Sequence, residues 1–331
     1  MRSFIILVIV AAAAVGGWYW YKGRQMAPAE AAAPPALPAE AGPGSSAGLG
    51  EALPPPMSEP PAAVQAQIAA AEAAWAAAGG DPATSAQGTS LNQRYAEILR
   101  ALYAVPGSEA YQQQLVDTRL KPLADIAFFS RAAIVDDPVG LFAVHLVAAG
   151  ESPDQIARRY GMSMDLINRL RGKARDDSNL KIGERLKVIK VKEGGGFQLD
   201  IDKSEYRVDL YCAGLFVRRY LITLGARETP TPVGKTKVVL REWHPQWTHP
   251  VSNKVLNYGD PENILGPVWI AFDSELLGKG GIGMHGYTGP DGKMRAMQSN
   301  GCIRFENHNA EEVFGTISPP DRAPTVVEIR E

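Results

Sequence analysis

Cysteine is nearly absent from this chain. Its 331 residues contain two, Cys212 and Cys302, too few for a disulfide scaffold or a Cys-rich zinc site. Charge of one sign is also missing: 34 basic side chains against 36 acidic ones leave a formal net charge of −2. That balance gives no footprint for nucleic acid as a partner. Charged residues are 21% and hydrophobic residues 45%, which excludes a chain disordered throughout. Glycine (33) and proline (25) are plentiful, so much of the chain must be turn, loop or linker. The length fits two or three folded units.

Residues 4–21 carry no charge. Bulky apolar side chains come first, then small ones, then Trp18-Tyr19-Trp20-Tyr21. A spanning helix needs about 20 mainly apolar residues, and aromatic rings favour the membrane–water boundary. Residues 1–25 therefore read as a single N-terminal transmembrane anchor; a cleaved signal segment is the competing reading. Arg2 on one side and Lys22 and Arg24 on the other nearly tie, so the domains must decide the orientation. Residues 26–62 hold ten of the 25 prolines and read as an extended linker.

From 63 to 135 the period turns helical. Val64, Ile68, Ala71 and Trp75 share one face, as do Leu91, Tyr95, Ile98, Leu99 and Leu102. Gly79-Gly80-Asp81-Pro82 and Pro106-Gly107 break the run. Two or three antiparallel helices fit, forming a helical spacer or packing module that could engage a protein partner. A resemblance to one tetratricopeptide unit is faint, since such repeats need neighbours.

Residues 143–191 follow the order strand–helix–helix–strand. Ser152, with Pro153 at the first helical position and Gln155 reaching back, makes a capping box. Gly161 ends that helix, Ser163 caps the next and Gly172 stops it. A strand over 186–189 closes the unit. The stretches "HLVAAGESPDQIARRYG" and "NLKIGERLKVI" resemble a LysM domain. The resemblance implies a small βααβ module that binds N-acetylglucosamine-containing glycan strands. Its groove would involve Gly150, Glu151, Ser152, Asn179, Leu180 and Ile182. Glu151 stands where Asp is usual, and Pro153 is untypical.

Residues 195–331 change to a period of two. Tyr206, Val208 and Leu210 alternate, then Phe216, Tyr220, Ile222 and Leu224, with further strands over 238–240 and 325–329. Many short strands with Gly/Pro turns suggest a mainly-β, sandwich-like domain or partial barrel. Within it lie "GIGMHGY" (281–287) and "QSNGCIRF" (298–305). An unperturbed thiol, with a pKa of about 8.5, is a poor nucleophile at neutral pH and needs a base. A histidine can take its proton, forming a thiolate–imidazolium pair, and return it to a departing amine. A backbone carbonyl suffices to orient the ring. Glycines beside the thiol admit a carbonyl substrate, and free N–H groups there can hold an oxyanion. His285 and Cys302, 16 residues apart in the intervening loop, have these types and surroundings.

The combined motif resembles that of L,D-transpeptidases of the YkuD type. So do "DKSEYRVDLY", "LGARETPTPVGKTKV" and "LGPVWIAF". The resemblance implies Cys302 as nucleophile, His285 as base, the Gly286 carbonyl as orienter, and the N–H groups of Gly301 and Cys302 as oxyanion hole. Ser299, Asn300, Arg304 and Tyr287 would shape the pocket and hold substrate, with Asn300 where the family commonly has histidine. It implies no metal and no organic cofactor. The function it implies is a peptidoglycan L,D-transpeptidase that forms 3→3 cross-links on stem peptides, in the bacterial envelope on the periplasmic side. An L,D-carboxypeptidase or an enzyme attaching protein to peptidoglycan would use the same residues. A non-catalytic peptidoglycan-binding scaffold is the alternative of another class.

Other residues have plainer readings. Cys212 fits a core position; a Cys212–Cys302 disulfide or a zinc site of His285, Cys302 and His308 are weaker alternatives. Trp243, Trp247 and Trp269 could line a cleft or pack, and His244 and His249 read as loop residues. Asn309 followed by Glu312 reads as a helix start.

Overall fold

The computed structural model describes residues 60–79, 87–134, 137–289 and 293–331. The anchor and almost all of the linker lie outside these residues. No described helix is long and apolar enough to cross a membrane.

The helical region comprises α1 (Ala62–Ala77), α2 (Gly88–Leu102), α3 (Glu109–Leu115), a π-helical turn (Val116–Leu120) and α4 (Lys121–Phe129). The helical faces read from the sequence turn inward: Val64, Ala71, Trp75, Leu91, Tyr95, Ile98, Leu99 and Leu102 are buried. Glu72 ties the helices together. Its carboxylate accepts from Tyr95 Oη at 2.7 Å and from Arg119 Nη2 at 2.9 Å.

The next unit has the order β1 (Phe142–Leu146), α5 (Pro153–Tyr160), α6 (Met164–Leu170), β2 (Arg185–Ile189), with β1 and β2 antiparallel. Local chemistry sets its ends. Ser152 and Gln155 form the reciprocal capping box, Pro153 takes the first helical position, and Gly161 closes α5 at φ +77°. Ser163 Oγ accepts the Leu166 N–H at 2.9 Å to start α6.

The C-terminal part is one mixed sheet of eight strands in the order β13-β11-β10-β7-β14-β3-β4-β5. These are β3 (Phe197–Asp202), β4 (Arg207–Cys212), β5 (Leu215–Leu221), β7 (Gly234–Trp243), β10 (Val268–Phe272), β11 (Gly283–His285), β13 (Ile303–Arg304) and β14 (Thr325–Arg330). Between them come β6 (Leu224–Gly225), β8 (Trp247–Thr248), β9 (Val255–Leu256), α7 (Ser274–Leu277), β12 (Met297–Ser299) and α8 (Asn307–Thr316). The sandwich-like expectation is corrected: the main sheet is single and curled. Just after edge strand β5, Thr223 exchanges two backbone hydrogen bonds of 2.9 Å with Arg304, which lies on the opposite edge strand. The partial-barrel alternative is closer. Short strands with a strong right-handed twist curl until their edges can meet. The helix near the C-terminus begins at Asn307 rather than Asn309.

The pieces that look successive in the sequence fold against one another. An edge strand leaves backbone groups open to stray pairing, and on β5 the buried Asn92 of α2 closes them. Its Nδ2 donates to Phe216 O at 3.0 Å, and its Oδ1 accepts the Phe216 N–H at 2.8 Å. Asn92→Ala would strand both groups. It is expected to cost about 1–3 kcal/mol, read as a lower denaturation midpoint at unchanged slope; a midpoint equal to that of the native protein would refute this role. Fully buried Asp209 on β4 accepts from Tyr103 Oη at 2.6 Å and Arg219 Nε at 2.7 Å, and also from Arg207. The βααβ unit is fastened in turn. Arg158 meets Asp321 at 2.7 Å, Arg169 meets Glu312 at 2.7 Å, and Ser318 Oγ donates to Gly161 O at 2.5 Å.

Candidate active site

β11 and β13 pair in parallel, with His285 opposite Arg304 and Met284 opposite Ile303. Extending the register one step sets Cys302 beside Gly283. Cys302 and His285 thus flank the same two-strand ribbon, on the face that alternation gives to residues 302 and 304. The sequence folds this way because Gly301 precedes Cys302 at φ +109°. That backbone favours glycine, and a Cβ there would lie 2.9 Å from Ile282 Cδ1 and 3.1 Å from Lys279 Nζ.

His285 is buried, with its ring 5.9 Å from that of Trp269. Nδ1 hydrogen-bonds the Gly286 carbonyl. A carbonyl only accepts, so Nδ1 carries the proton and Nε2 keeps its lone pair. Gly286 must approach closely: a Cβ would fall 2.3 Å from Asn307 Oδ1. That same oxygen accepts the Tyr287 N–H at 2.7 Å. Asn307 therefore fixes the backbone that fixes the imidazole.

Burial pushes the imidazole down to about 4. The Gly286 carbonyl opposes this, the Arg304 charge adds to it, and the Leu265 carbonyl opposes it again. Burial pushes the Cys302 thiol up, against a hydrogen bond from the Gly283 backbone and the charges of Arg304 and Lys279. A resting thiolate–imidazolium pair is therefore not favoured; at neutral pH both partners are uncharged. Among the described residues the thiol hydrogen-bonds the Gly281 carbonyl, at 3.3 Å, and not the imidazole.

Ser299 clasps the cysteine loop: its Oγ donates to Cys302 O at 2.5 Å and accepts the Gly301 N–H at 3.2 Å. The Gly301 N–H is thus engaged within the loop rather than open to an oxyanion. Thr231 Oγ1 donates to Gly301 O at 2.9 Å and accepts the Gly225 N–H at 2.9 Å. Arg304 is buried over the Tyr287 ring, 4.0 Å from its centroid. Its Nε has no hydrogen-bond partner, and no ion pair engages it among the described residues. Asn300 is exposed.

Of the three tryptophans, Trp269 comes to the site. Trp243 packs on Phe314 at 5.6 Å and under Arg175 at 3.4 Å, while Trp247 pairs with His249 at 5.2 Å. Cys212 and Cys302 are both free thiols, and burial raises Cys212 to about 12. His308 is exposed beside Glu306, 3.5 Å away, not buried with His285. Thr231, Asn307 and Lys279 were missed as site residues. Thr231 lies inside the Thr-Pro-x-Gly stretch, the one sequence signal available for any of them.

In the βααβ unit, Gly183 N donates to Val147 O at 2.8 Å, which sets the 179–182 loop beside the 148–152 turn. Gly150 turns at φ +82°, Ser152 is taken up by the cap, and Leu180 is half-buried. The Asn179 N–H donates to Asp177 Oδ1 at 2.7 Å. Ile182 is 76% exposed. Glu151 is held rather than free. It accepts from Ala148 N at 2.9 Å and meets His145 Nε2 at 2.7 Å and Arg159 at 2.8 Å. The Ala148 N–H foremost, then His145, lowers it to about 2.

Residues 196–329 match the family model described as the L,D-transpeptidase catalytic domain, YkuD. The chain is 32% identical over 98 residues to "Putative L,D-transpeptidase YqjB" of Bacillus subtilis (strain 168). That alignment takes in 30% of this chain, which spans about half (53%) of the relative's length. Among solved structures, the chain matches an L,D-transpeptidase from Mycobacterium smegmatis, with 17% identity over 44% of this chain and 63% of that one and a TM-score of 0.32. It also matches one from Enterococcus faecium, with 17% identity, 45% and 55% of the two chains and a TM-score of 0.32.

Proposed function

We propose, starting from the L,D-transpeptidase catalytic domain that residues 196–329 form, that this protein forms 3→3 cross-links in peptidoglycan through a thioester on Cys302. One observation carries the reading. A buried histidine, its Nδ1 hydrogen-bonded to Gly286 O so that Nε2 carries the lone pair, lies on the strand paired with the one that Cys302 opens. That is a general base held beside a nucleophile.

In this mechanism the donor displaces the thiol from Gly281 O, and the thiol proton passes to Nε2 as Sγ attacks. The attacked carbonyl joins the third and fourth residues of a stem peptide. The C–S bond forms, the C–N bond breaks, and the imidazolium returns the proton to the departing D-Ala amine. An amine of a second stem peptide then attacks the thioester. Its proton returns through the imidazole to the leaving thiolate, which restores the thiol. Because Gly301 N–H is held by Ser299, the Cys302 N–H is the donor assigned to the oxyanion. Arg304, buried and without a counter-ion among the described residues, would take an anionic group of the substrate. Tyr287 and Asn300 complete the pocket wall.

The βααβ unit would act as the LysM-type glycan holder at Gly150, Glu151, Ser152, Asn179, Leu180 and Ile182, raising the local concentration of wall at the site. The N-terminal segment would anchor the protein on the periplasmic face of the membrane. Water or a protein amine as acceptor would instead give a carboxypeptidase or a wall-attaching enzyme.

The test is an intact-mass spectrum after incubation with a purified tetrapeptide donor. The expected result is an acyl-tripeptide adduct on Cys302, with cross-linked dimers appearing once acceptor is added. An unmodified Cys302 and no product of any acceptor would overturn the assignment.

A further inference from the structure

The turn between α7 and β11 reads Gly278-Lys279-Gly280-Gly281, with Gly278 and Gly281 both at φ +70°. It brings two groups to the nucleophile. Gly281 O holds the thiol. Lys279 Nζ reaches Pro230 O at 3.4 Å and lies 3.1 Å from where a Cβ on Gly301 would be. A single carbonyl therefore steadies an ammonium group immediately beside the residue preceding Cys302. No carboxylate pairs with Lys279 among the described residues, as none pairs with Arg304. A site that holds two cations around a neutral thiol, and no paired anion among the described residues, is complementary to an anionic ligand.

The chemistry of the donor says which anion. In a peptide cut before its last residue, the terminal carboxylate carbon lies about 3–4 Å from the attacked carbon and its oxygens reach to about 5 Å, by ordinary bond lengths. Lys279 Nζ stands beside Gly301, the residue that precedes the nucleophile. Arg304 lies on the inner side, against Tyr287. We propose that Lys279 is a specificity-determining residue that receives the C-terminal carboxylate of the acyl donor's leaving residue, restricting the enzyme to donors that end one residue past the attacked carbonyl. This rests on the reading of Cys302 as the acylated nucleophile.

The test compares two tetrapeptide donors, one ending in a free D-Ala carboxylate and one in the D-Ala carboxamide. Adduct formation on Cys302 of the full chain is followed without acceptor. The unmodified protein is expected to acylate faster with the acid by about tenfold, the scale of one charged hydrogen bond. In Lys279→Gln that preference should fall to near one, mainly through loss on the acid donor, and Lys279→Arg should keep most of it. Alkylation of Cys302 by neutral iodoacetamide should fall in Lys279→Gln by much less than acylation by the acid donor does, since the Lys279 charge also eases thiol ionisation; the alkylation that remains reports an intact site. A preference unchanged in Lys279→Gln would overturn the inference. So would an equal loss on both donors, or a large fall in iodoacetamide reactivity, either of which would assign the ammonium to the thiolate instead. No adduct from either donor on the unmodified protein would overturn the nucleophile reading and this inference together.

Discussion

Cys302→Ala is expected to reduce acyl transfer to background, and His285→Ala to lower kcat/KM by about 10²–10⁴-fold, the usual worth of a positioned acid–base group. The two fail for different reasons. Without Cys302 no thioester can form. Without His285 the thiol keeps its proton, because burial raises it rather than releasing it.

The pH profile separates this from a resting ion pair. The imidazole is lowered to about 4, so it is about nine-tenths neutral by pH 5 and available as a base above that. Activity should be flat across pH 5–8 and fall about tenfold per unit below the acid limb near 4. On the alkaline side the limb should lie above the ordinary thiol range. Alkylation of free Cys302 should rise steadily toward high pH rather than hold a plateau. An acid limb near 6.5, the value of an exposed histidine, would refute the buried base. A plateau of alkylation between pH 5 and 8 would refute the neutral pair.

The largest effect on stability is expected at Asp209, far from the nucleophile in sequence. Burial alone would raise its carboxyl. Arg219 foremost, then Arg207, with the Tyr103 hydroxyl, hold it below the usual carboxylate range. Asp209→Ala leaves Arg219 and Arg207 facing each other, although Arg207 keeps Asp202 at 3.0 Å. Breaking a buried pair from one side costs about 3–5 kcal/mol. The same change takes one of two hydroxyl partners from Tyr103, which keeps Tyr211 Oη, so the helical region should be held less firmly on the sheet and exchange its amides faster. The sign with pH follows from the depressed carboxyl. Its contribution is present above the unfolded carboxylate pKa and is lost as pH falls through the folded value. An unfolding free energy from urea titration within about 1 kcal/mol of the native protein's would show that the network adds little.

What the sequence determined by itself is what short range decides. The capping box at Ser152 and Gln155 and the left-handed stops at Gly161 and Gly172 are set by sterics and hydrogen bonds a few residues apart. The alternation of β4 is likewise local, and so is the glycine before Cys302. Asn92 on Phe216 spans 124 residues and Thr231 on Gly301 spans 70, and no local pattern announces either. Asn307, two residues before the helix start that the sequence suggests at Asn309, carries no signal of its own until Gly286 is seen pressed against its amide. Lys279 is one lysine in a glycine turn until that turn folds onto the nucleophile's loop. The charge state of the pair belongs to the same class. Whether an imidazole and a thiol are ionised depends on how much water they lose, and every strand and helix packed around them sets that loss.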